Sequence, residues 1–165
     1  MIKKKVCMLG SFAVGKTSLV QRFVHSIFSQ KYSTTVGVKI DKKTLSIREK
    51  TMDLILWDLH GKDEFQEIRM SYLRGASGCI YVVDGTRLKT LDVFRELRNK
   101  TRDYVGDVPF VVALNKWDLR REWEIGSDAM DDLEKEGAVI IKTSAKTGLC
   151  VEEVFQTLAR LMVDN

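Results

Sequence analysis

Short apolar runs alternate with longer amphipathic runs along the whole chain. The apolar runs predict six β-strands, at residues 2–9, 38–47, 51–58, 78–84, 109–115 and 138–143. The amphipathic runs predict five helices, at residues 16–25, 67–75, 88–105, 127–136 and 151–163. Ser127 is expected to cap the fourth of these helices, because it stands directly before a run of charged helical positions.

The strands are typical of a sheet covered by helices. The run CIYVV at residues 79–83 is apolar on both faces, as expected for a strand buried between two helical layers. The strand at 38–47 is more polar, and only residues 48–50 separate it from the next strand, so we expect a hairpin at the sheet edge. The alternation predicts an α/β fold with an open, mostly parallel sheet, in which ligands bind beyond the carboxyl ends of the strands.

Composition adds bounds rather than a function. The 165 residues predict one domain, and 44% apolar with 30% charged residues is ordinary for a globular protein. The net charge of +4 is scattered, and the short run at residues 3–5 leads into a strand, so nucleic acid and anionic membranes are disfavoured as partners. Cys7 and Cys79 lie in apolar strands, and with Cys150 they make an odd count, which favours reduced thiols in a cytoplasmic protein. No apolar run is long enough to span a membrane, and no secretory signal is recognisable.

A phosphate-binding pattern follows the first strand. The octapeptide GSFAVGKT at residues 10–17 fits Gly-x4-Gly-Lys-Ser/Thr and stands between a strand and a helix. In this setting backbone N–H groups point at phosphate oxygens, the Lys16 ammonium reaches the β- and γ-phosphates, and the Thr17 hydroxyl ligates Mg²⁺. The chain is therefore predicted to bind a nucleoside triphosphate. The residues expected to contact phosphate here are Ala13, Val14, Gly15, Lys16, Thr17 and Ser18.

Two further motifs follow later strands and favour guanine. In NKWD at residues 115–118, the Asp118 carboxylate offers two acceptors to the two donors on one edge of guanine, a pairing that adenine does not allow. The Lys116 stem is expected to lie across the base, and Asn115 to join neighbouring loops. Taken alone, this tetrapeptide is as well explained by a polar turn. The second motif, SAK, follows the sixth strand and comprises Ser144, Ala145 and Lys146. The Ala145 N–H could donate to guanine O6. Taken alone, this tripeptide is as well explained by a simple loop.

Two more segments are candidates for the metal and the γ-phosphate. Asp58 ends the third strand, where it could hold Mg²⁺ through a water or act only as a strand-end cap, and the Gly61 N–H could bond the γ-phosphate. Thr35 could supply a hydroxyl to Mg²⁺ and an N–H to the γ-phosphate, although its spacing does not exclude Thr34. Phe28 is either a cover for the guanine edge or an ordinary core aromatic.

With these motifs in order, the chain resembles the Ras superfamily of small GTPases over its whole length. Residues 31–38, 57–58 and 71–76 are most similar to the Rab branch. The resemblance implies a P-loop G domain over residues 1–165, with a six-stranded sheet, one antiparallel edge strand and helices on both faces. It also implies GTP/GDP and Mg²⁺ as ligands, and it favours Thr35 over Thr34. Trp57 and Tyr72 match two aromatic residues through which Rab proteins contact effectors, but Ile40 replaces the third.

Two departures from the family bear on catalysis. Lys62 stands where relatives carry a glutamine that orients the attacking water, and an ammonium only donates hydrogen bonds. Phe12 stands where relatives have a small residue, and its ring could fill the space that an arginine finger enters. We therefore expect slow GTP hydrolysis, with Lys62 a doubtful member of a catalytic set that otherwise holds Lys16, Thr35 and Gly61. Alternatively, Phe12 turns outward and Lys62 is solvated.

A regulatory GTPase is the leading interpretation, and two other functions compete with it. The second candidate is a nucleotide-binding interaction module with little hydrolysis, in which apolar residues at 65–73 form a docking face; the same residues could instead be the core side of a helix. An ATPase or nucleoside kinase is disfavoured by Asp118. His60 is expected to be a solvated loop residue. Effectors, an exchange factor and a GTPase-activating protein are the partners implied by the resemblance. The chain carries no C-terminal cysteine, so no lipid anchor is expected within it.

Overall fold

Six strands form the centre of the protein. The computed structural model describes residues 1–29, 37–61 and 68–164. Within these residues the strands are β1 Ile2–Gly10, β2 Val38–Ile47, β3 Lys50–Leu59, β4 Gly78–Asp84, β5 Phe110–Asn115 and β6 Ile140–Lys142. The α-helices are α1 Lys16–His25, α2 Lys89–Val105, α3 Ser127–Lys135 and α4 Val151–Asp164, and short 3-10 turns lie at Met70–Leu73 and Trp117–Glu122. All six predicted strands are confirmed, although β6 is shorter than expected.

The strands form one sheet in the order β2-β3-β1-β4-β5-β6. β2 is antiparallel to β3, and every other neighbouring pair is parallel. Arg48 and Glu49, with φ of 47° and 66°, form the two-residue turn between β2 and β3, which is the backbone geometry that suits a tight hairpin. The predicted edge hairpin and the mostly parallel sheet are therefore confirmed.

Each face of the sheet is covered by helices. Along β1, Val6 and Met8 belong to the core beneath α1 and α4, whereas Cys7 and Leu9 belong to the core beneath α2 and α3. This alternation explains why the strands are apolar at consecutive positions. Cys7 and Cys79 are free and buried, as predicted. With both faces covered, the sheet leaves its carboxyl edge for ligands.

The predicted helix at residues 67–75 is wrong. Over the described residues 68–75 the backbone forms only the 3-10 turn Met70–Leu73. Ile68 and Leu73 are buried in the core beneath α2 and α3, and Tyr72 packs against the same core. Ile68 and Leu73 instead anchor an irregular segment, which favours the core interpretation over a docking face for these two residues.

The predicted N-cap at Ser127 is also wrong. Ser127 is already the first helical residue of α3, and Gly126 occupies the cap position with extended backbone. In the described part of the chain no side chain caps this helix. Because a cap residue must itself be non-helical, the serine lies one position too late to act as one.

Candidate functional site

A cleft of about 390 Å³ opens beyond the carboxyl ends of β1, β3 and β5, a volume in the range of small-molecule sites. Most of the predicted site residues line it together. They are Ala13, Gly15, Lys16, Thr17, Ser18, Phe28, Gly61, Asn115, Lys116, Asp118, Ala145 and Lys146. Val14, Asp58 and Ser144 lie beside the cleft and act on its wall through their hydrogen bonds. The cleft lies where an open α/β sheet binds its ligands.

Lys16 folds back over the loop that precedes it. Its Nζ donates to the carbonyls of Ser11, at 2.8 Å, and Gly10, at 3.2 Å. Burial lowers the pKa of Lys16 to about 8; the Asp58 carboxylate opposes this change and the Arg87 guanidinium adds to it. The loop therefore holds a partly desolvated cation at the start of α1, where the helix N-terminus adds further positive potential.

Asn115 joins the phosphate-type loop to the loop after β6. Its Nδ2 donates to the Val14 carbonyl at 3.0 Å, while its Oδ1 accepts from the Thr143 hydroxyl at 3.1 Å and the Ala145 N–H at 3.3 Å. A Cβ at Gly15 would lie 2.3 Å from Asn115 Nδ2, so only glycine permits this approach. The expected joining role of Asn115 matches these bonds.

Lys116 is fixed at both its side chain and its backbone. Its Nζ contacts Asp84 Oδ2 at 2.8 Å and donates to the Ala13 carbonyl at 3.0 Å. Its backbone is left-handed, with φ of 75°, and its carbonyl accepts from Trp123 Nε1 at 2.9 Å. The lysine stem is thereby held along the cleft wall.

Asp118 is oriented by the loop after β6. Ser144 Oγ donates to Asp118 Oδ1 at 2.7 Å and accepts from the Thr147 N–H at 3.1 Å. Arg22, near the end of α1, holds the same loop from outside: its Nε donates to the Ala145 carbonyl at 2.8 Å, and Nη2 donates to the Lys146 carbonyl. Asp118 therefore lines the cleft with one carboxylate oxygen fixed by the loop after β6.

Thr17 and Asp58 form a buried pair beside Lys16. Thr17 Oγ1 donates to Asp58 Oδ2 at 2.6 Å, and Asp58 is 1% exposed. Burial raises the pKa of Asp58, whereas the Thr17 hydrogen bond and the Lys16 and Lys39 charges lower it. Its Oδ1 is buried without a hydrogen-bond partner among the described residues. A hydroxyl beside a carboxylate with an unused oxygen is a donor set that suits a hard divalent cation.

Phe12, Phe28 and Gly61 border the cleft. A Cβ at Gly61 would lie 2.5 Å from Phe12 Cα, so glycine lets the chain after β3 lie against the phosphate-type loop. Phe12 lines the cleft and is 41% exposed. It therefore lies between the two positions considered from the sequence, one filling the space for an arginine finger and one turned outward. Phe28 both lines the cleft and packs against the core, so neither of its two interpretations excludes the other.

Three candidates, Thr35, Lys62 and His60, are not among the described residues that line the cleft. Thr35 and Lys62, like Thr34, lie outside the described residues. His60 is only 8% exposed, so the expectation of a solvated loop residue is wrong. Its backbone N–H donates to the Gly37 carbonyl at 2.9 Å, so His60 continues the pairing of β2 with β3 instead of standing in a solvated loop.

The two matched aromatic residues lie together beside β2. The Trp57 and Tyr72 rings are 6.3 Å apart, and Lys5 Nζ is 3.5 Å from the Trp57 ring centroid. Ile40 pairs with Trp57 across the β2–β3 hairpin and is 52% exposed. The chain therefore presents an apolar and aromatic surface at this edge, with an aliphatic residue in place of the third aromatic.

Sequence reasoning missed four residues that support the cleft. They are Arg22, Asp84, Arg87 and Trp123. Arg22, Asp84 and Arg87 bond residues far away along the chain, whereas Trp123 bonds the Lys116 carbonyl seven residues before it, and none of the four belongs to a motif. Asp84 alone carried a signal, since a carboxylate directly after an apolar strand lies at the ligand edge of such a sheet.

Comparison with known proteins identifies the family. The Ras family model matches residues 5–164. Ras-related protein Rab-31 from Mus musculus is 31% identical over 158 residues, which cover 94% of this chain and 81% of that protein. Ras-related protein RABA2a from Arabidopsis thaliana is 34% identical over 157 residues, covering 93% of this chain and 72% of that protein. In the described ranges, no helix has the length and apolar character needed to cross a membrane. The chain belongs to the Ras family of small GTP-binding switch proteins.

Proposed function

We propose that the chain binds GDP and GTP in the cleft, hydrolyses GTP slowly, and changes conformation between the two states. The observation that carries this proposal is the convergence of Lys16, Asn115 and Asp118 on one cleft. A phosphate-binding lysine and a carboxylate able to read a purine edge are thus joined by a third side chain that bonds both loops. Chance polar turns would not share a cleft in this way.

The phosphate end of the ligand would lie over the start of α1. The N–H groups of residues 13–18 would donate to the α- and β-phosphates, and Lys16 would exchange its contacts with loop carbonyls for the β- and γ-phosphates. The anionic phosphates would restore favourable surroundings to the buried ammonium. The expected γ-phosphate donors are the N–H groups of Gly61 and Thr35.

The base end would lie between Lys116 and the loop after β6. Asp118, oriented by Ser144, would accept from guanine N1–H and the exocyclic amino group, and the Ala145 N–H would donate to O6. Lys146 would continue this wall, and Phe28 would cover the edge of the base. An adenine would leave the carboxylate without donors, which disfavours an ATPase or nucleoside kinase.

Mg²⁺ fits the residues beside the phosphate end. Thr17 would ligate it directly, Asp58 would hold it through a water with its unused oxygen, and Thr35 would add a hydroxyl. When bound, the ion would supply positive charge that stabilises the anionic phosphate groups. Within the chain, the hydroxyl of Thr17 would turn from Asp58 toward the ion, and binding at Thr35 and Gly61 would draw two loops together.

Slow hydrolysis is proposed from Lys62 and Phe12. An ammonium cannot accept a hydrogen bond from the attacking water while it donates one to the transferring phosphate. Lys62 therefore cannot replace a glutamine amide. The Phe12 ring at the cleft border would hinder an arginine supplied by a partner. Removing one positioned catalytic group typically slows a reaction by about a hundredfold.

Single-turnover GTP hydrolysis of wild type and Lys62→Gln tests this. We expect the variant to be on the order of tenfold faster or more. Lys135→Gln, the same change at an exposed lysine of α3, should leave the rate unchanged. A wild-type rate equal to or above that of Lys62→Gln would contradict the role given to Lys62. GTP binding without hydrolysis in either protein would favour the interaction module instead.

Regulators and effectors would bind around the loops that respond to the γ-phosphate. Effectors, an exchange factor and a GTPase-activating protein are the partner classes proposed. The edge at Trp57 and Tyr72 would contribute to such contacts, with Ile40 changing their specificity from that of a Rab-type aromatic surface. Nucleic acid is not proposed as a partner.

A further inference from the structure

A run of five consecutive backbone carbonyls, from the end of β1 into the loop before α1, accepts hydrogen bonds from side chains. The five consecutive carbonyls belong to Gly10–Val14 and accept from four different residues. Lys16 Nζ donates to the Gly10 carbonyl at 3.2 Å and to the Ser11 carbonyl at 2.8 Å. Arg87 Nη2 donates to the Phe12 carbonyl at 2.7 Å. Lys116 Nζ donates to the Ala13 carbonyl at 3.0 Å, and Asn115 Nδ2 donates to the Val14 carbonyl at 3.0 Å. Because the C=O of one residue and the N–H of the next belong to one planar peptide, holding a carbonyl also restricts the direction of the N–H that follows it.

Two of these four donor residues, Arg87 and Lys116, also bond the carboxylate of Asp84. Asp84 ends β4 and is 1% exposed. Its Oδ2 accepts from Arg87 Nε at 3.0 Å and from Lys116 Nζ at 2.8 Å. Its Oδ1 accepts from the Thr86 N–H at 2.9 Å and the Thr86 hydroxyl at 2.7 Å. The carboxylate is therefore a fully bonded anchor between the turn after β4, the cleft wall and the loop.

The charge of this anchor is secure. Burial alone would raise the pKa of Asp84, but the bonds from Lys116, Thr86 and Arg87 outweigh it and hold the pKa below its usual value. Arg87 is itself fixed through its backbone, since its carbonyl accepts from the Thr90 hydroxyl at 2.8 Å. The guanidinium is thus held by its own turn on one side and by an ionised carboxylate on the other.

We propose that Arg87, held by Asp84, is a positioning residue for nucleotide binding: it fixes the Phe12 peptide and joins the phosphate end of the cleft to Lys116. The expected ligand is a guanosine di- or triphosphate, so this inference rests on the proposed function. Arg87 does not line the cleft, and it acts through the loop backbone rather than on the phosphates. Removing the Arg87 side chain frees the Phe12 peptide to rotate. The N–H groups of the loop are then less well oriented, and they bind the β-phosphate more weakly.

A charge effect is the main alternative, because the Arg87 guanidinium is close enough to Lys16 to influence it. The two explanations differ in what they require of the side chain. The positioning role needs a rigid fork, in which Nε bonds Asp84 while Nη2 bonds the Phe12 carbonyl. A lysine keeps the charge but has one flexible ammonium, so it cannot reproduce both bonds with the same geometry.

Release of fluorescent GDP from the full chain, chased with excess GDP in Mg²⁺, tests the proposal. We expect Arg87→Ala to release GDP roughly tenfold faster than wild type, a modest effect because the Arg87 side chain is 42% exposed. Arg87→Lys should behave like Arg87→Ala. The matched control is Arg95→Ala, which removes a 39% exposed arginine of α2 that pairs with Glu136 away from the cleft, and it should release GDP at the wild-type rate.

Unfolding by urea, without nucleotide and with saturating GDP, separates positioning from general stability. A positioning role reduces the stabilisation that GDP adds, since that increment follows nucleotide affinity. The proposal is overturned if Arg87→Ala releases GDP within twofold of wild type, if Arg87→Lys keeps the wild-type rate, or if Arg87→Ala lowers both unfolding energies equally. A wild type that fails to retain GDP would instead overturn the proposed function itself.

Discussion

The Lys16 ammonium is buried among loop carbonyls, and we predict that this burial destabilises the nucleotide-free protein. The pKa of Lys16 is lowered to about 8 by burial, against a value near 10.5 for an unfolded lysine. The Asp58 carboxylate limits this change, and Arg87 increases it. Lys16→Met removes the charge and keeps an unbranched apolar side chain of similar length, so most of the packing remains.

The pKa difference corresponds to a penalty of up to about 3 kcal/mol. Below pH 8 the lysine is protonated in the folded and unfolded states, so the penalty is fully present. Between pH 8 and 10.5 the folded state has released the proton while the unfolded state still holds it, so stability rises with pH. Above this range both states are neutral and the penalty is gone. Wild type should therefore gain stability relative to Lys16→Met as the pH is raised.

Urea unfolding of both proteins between pH 7.5 and 10.5, without nucleotide, measures this gain. We expect the free energy of unfolding of wild type minus that of Lys16→Met to increase by roughly 1–3 kcal/mol. Burial raises the pKa of Cys7 to about 12 and also raises the pKa of Cys79 and of Tyr81, so these groups lower stability at high pH in both proteins and cancel in the difference. A difference that stays constant across the range would refute the reasoning.

Two further substitutions test the base end of the cleft. A Cβ at Gly85 would lie 2.0 to 2.5 Å from three Trp123 ring carbons, so Gly85→Ala should lower the free energy of unfolding by about 1–3 kcal/mol and, through the bond from Trp123 to the Lys116 carbonyl, speed GDP release. The control is Gly126→Ala, in which the new Cβ meets no atom within 4 Å. Because Gly126 is the N-cap residue of α3 and alanine is a poorer cap than glycine, this variant should lower the free energy of unfolding by less than about 1 kcal/mol and by less than Gly85→Ala does; equal losses would contradict the packing argument. Asp118→Asn places an amide donor at the purine edge, so the variant should lose GDP affinity by about a hundredfold and gain affinity for xanthosine diphosphate, which has a carbonyl in place of the amino group. Competition binding that still favours GDP would argue against the role of Asp118.

The strands and most helices follow directly from local patterning. A run such as CIYVV predicts a strand covered on both faces because each consecutive side chain needs its own apolar layer. The segment at 68–75 did not follow: Ile68 and Tyr72 are four residues apart, as on one helical face, but they pack against the core from an irregular backbone with a single 3-10 turn. A window of eight residues cannot distinguish these cases, because tertiary packing decides between them.

The candidate site, too, contains residues that could be predicted from the sequence and residues that could not. Lys16, Asn115 and Asp118 could be predicted, because each occurs in a motif whose position after a strand fixes its place at one sheet edge. Asp84 and Arg87 could not be predicted as partners of the loop, since Arg87 lies 75 residues from Phe12 and their contact depends on how the turn after β4 packs. Motifs predict the groups that would touch the ligand, and the fold supplies the side chains that hold them.

Equilibrium binding of GDP and of ADP to the nucleotide-stripped chain, each with Mg²⁺, tests most directly whether this cleft selects guanine beside a phosphate-binding loop. We expect GDP to bind on the order of a thousandfold more tightly than ADP, because only guanine offers Asp118 two donors. Similar affinities for the two nucleotides, or no binding of GDP at micromolar concentration, would contradict it.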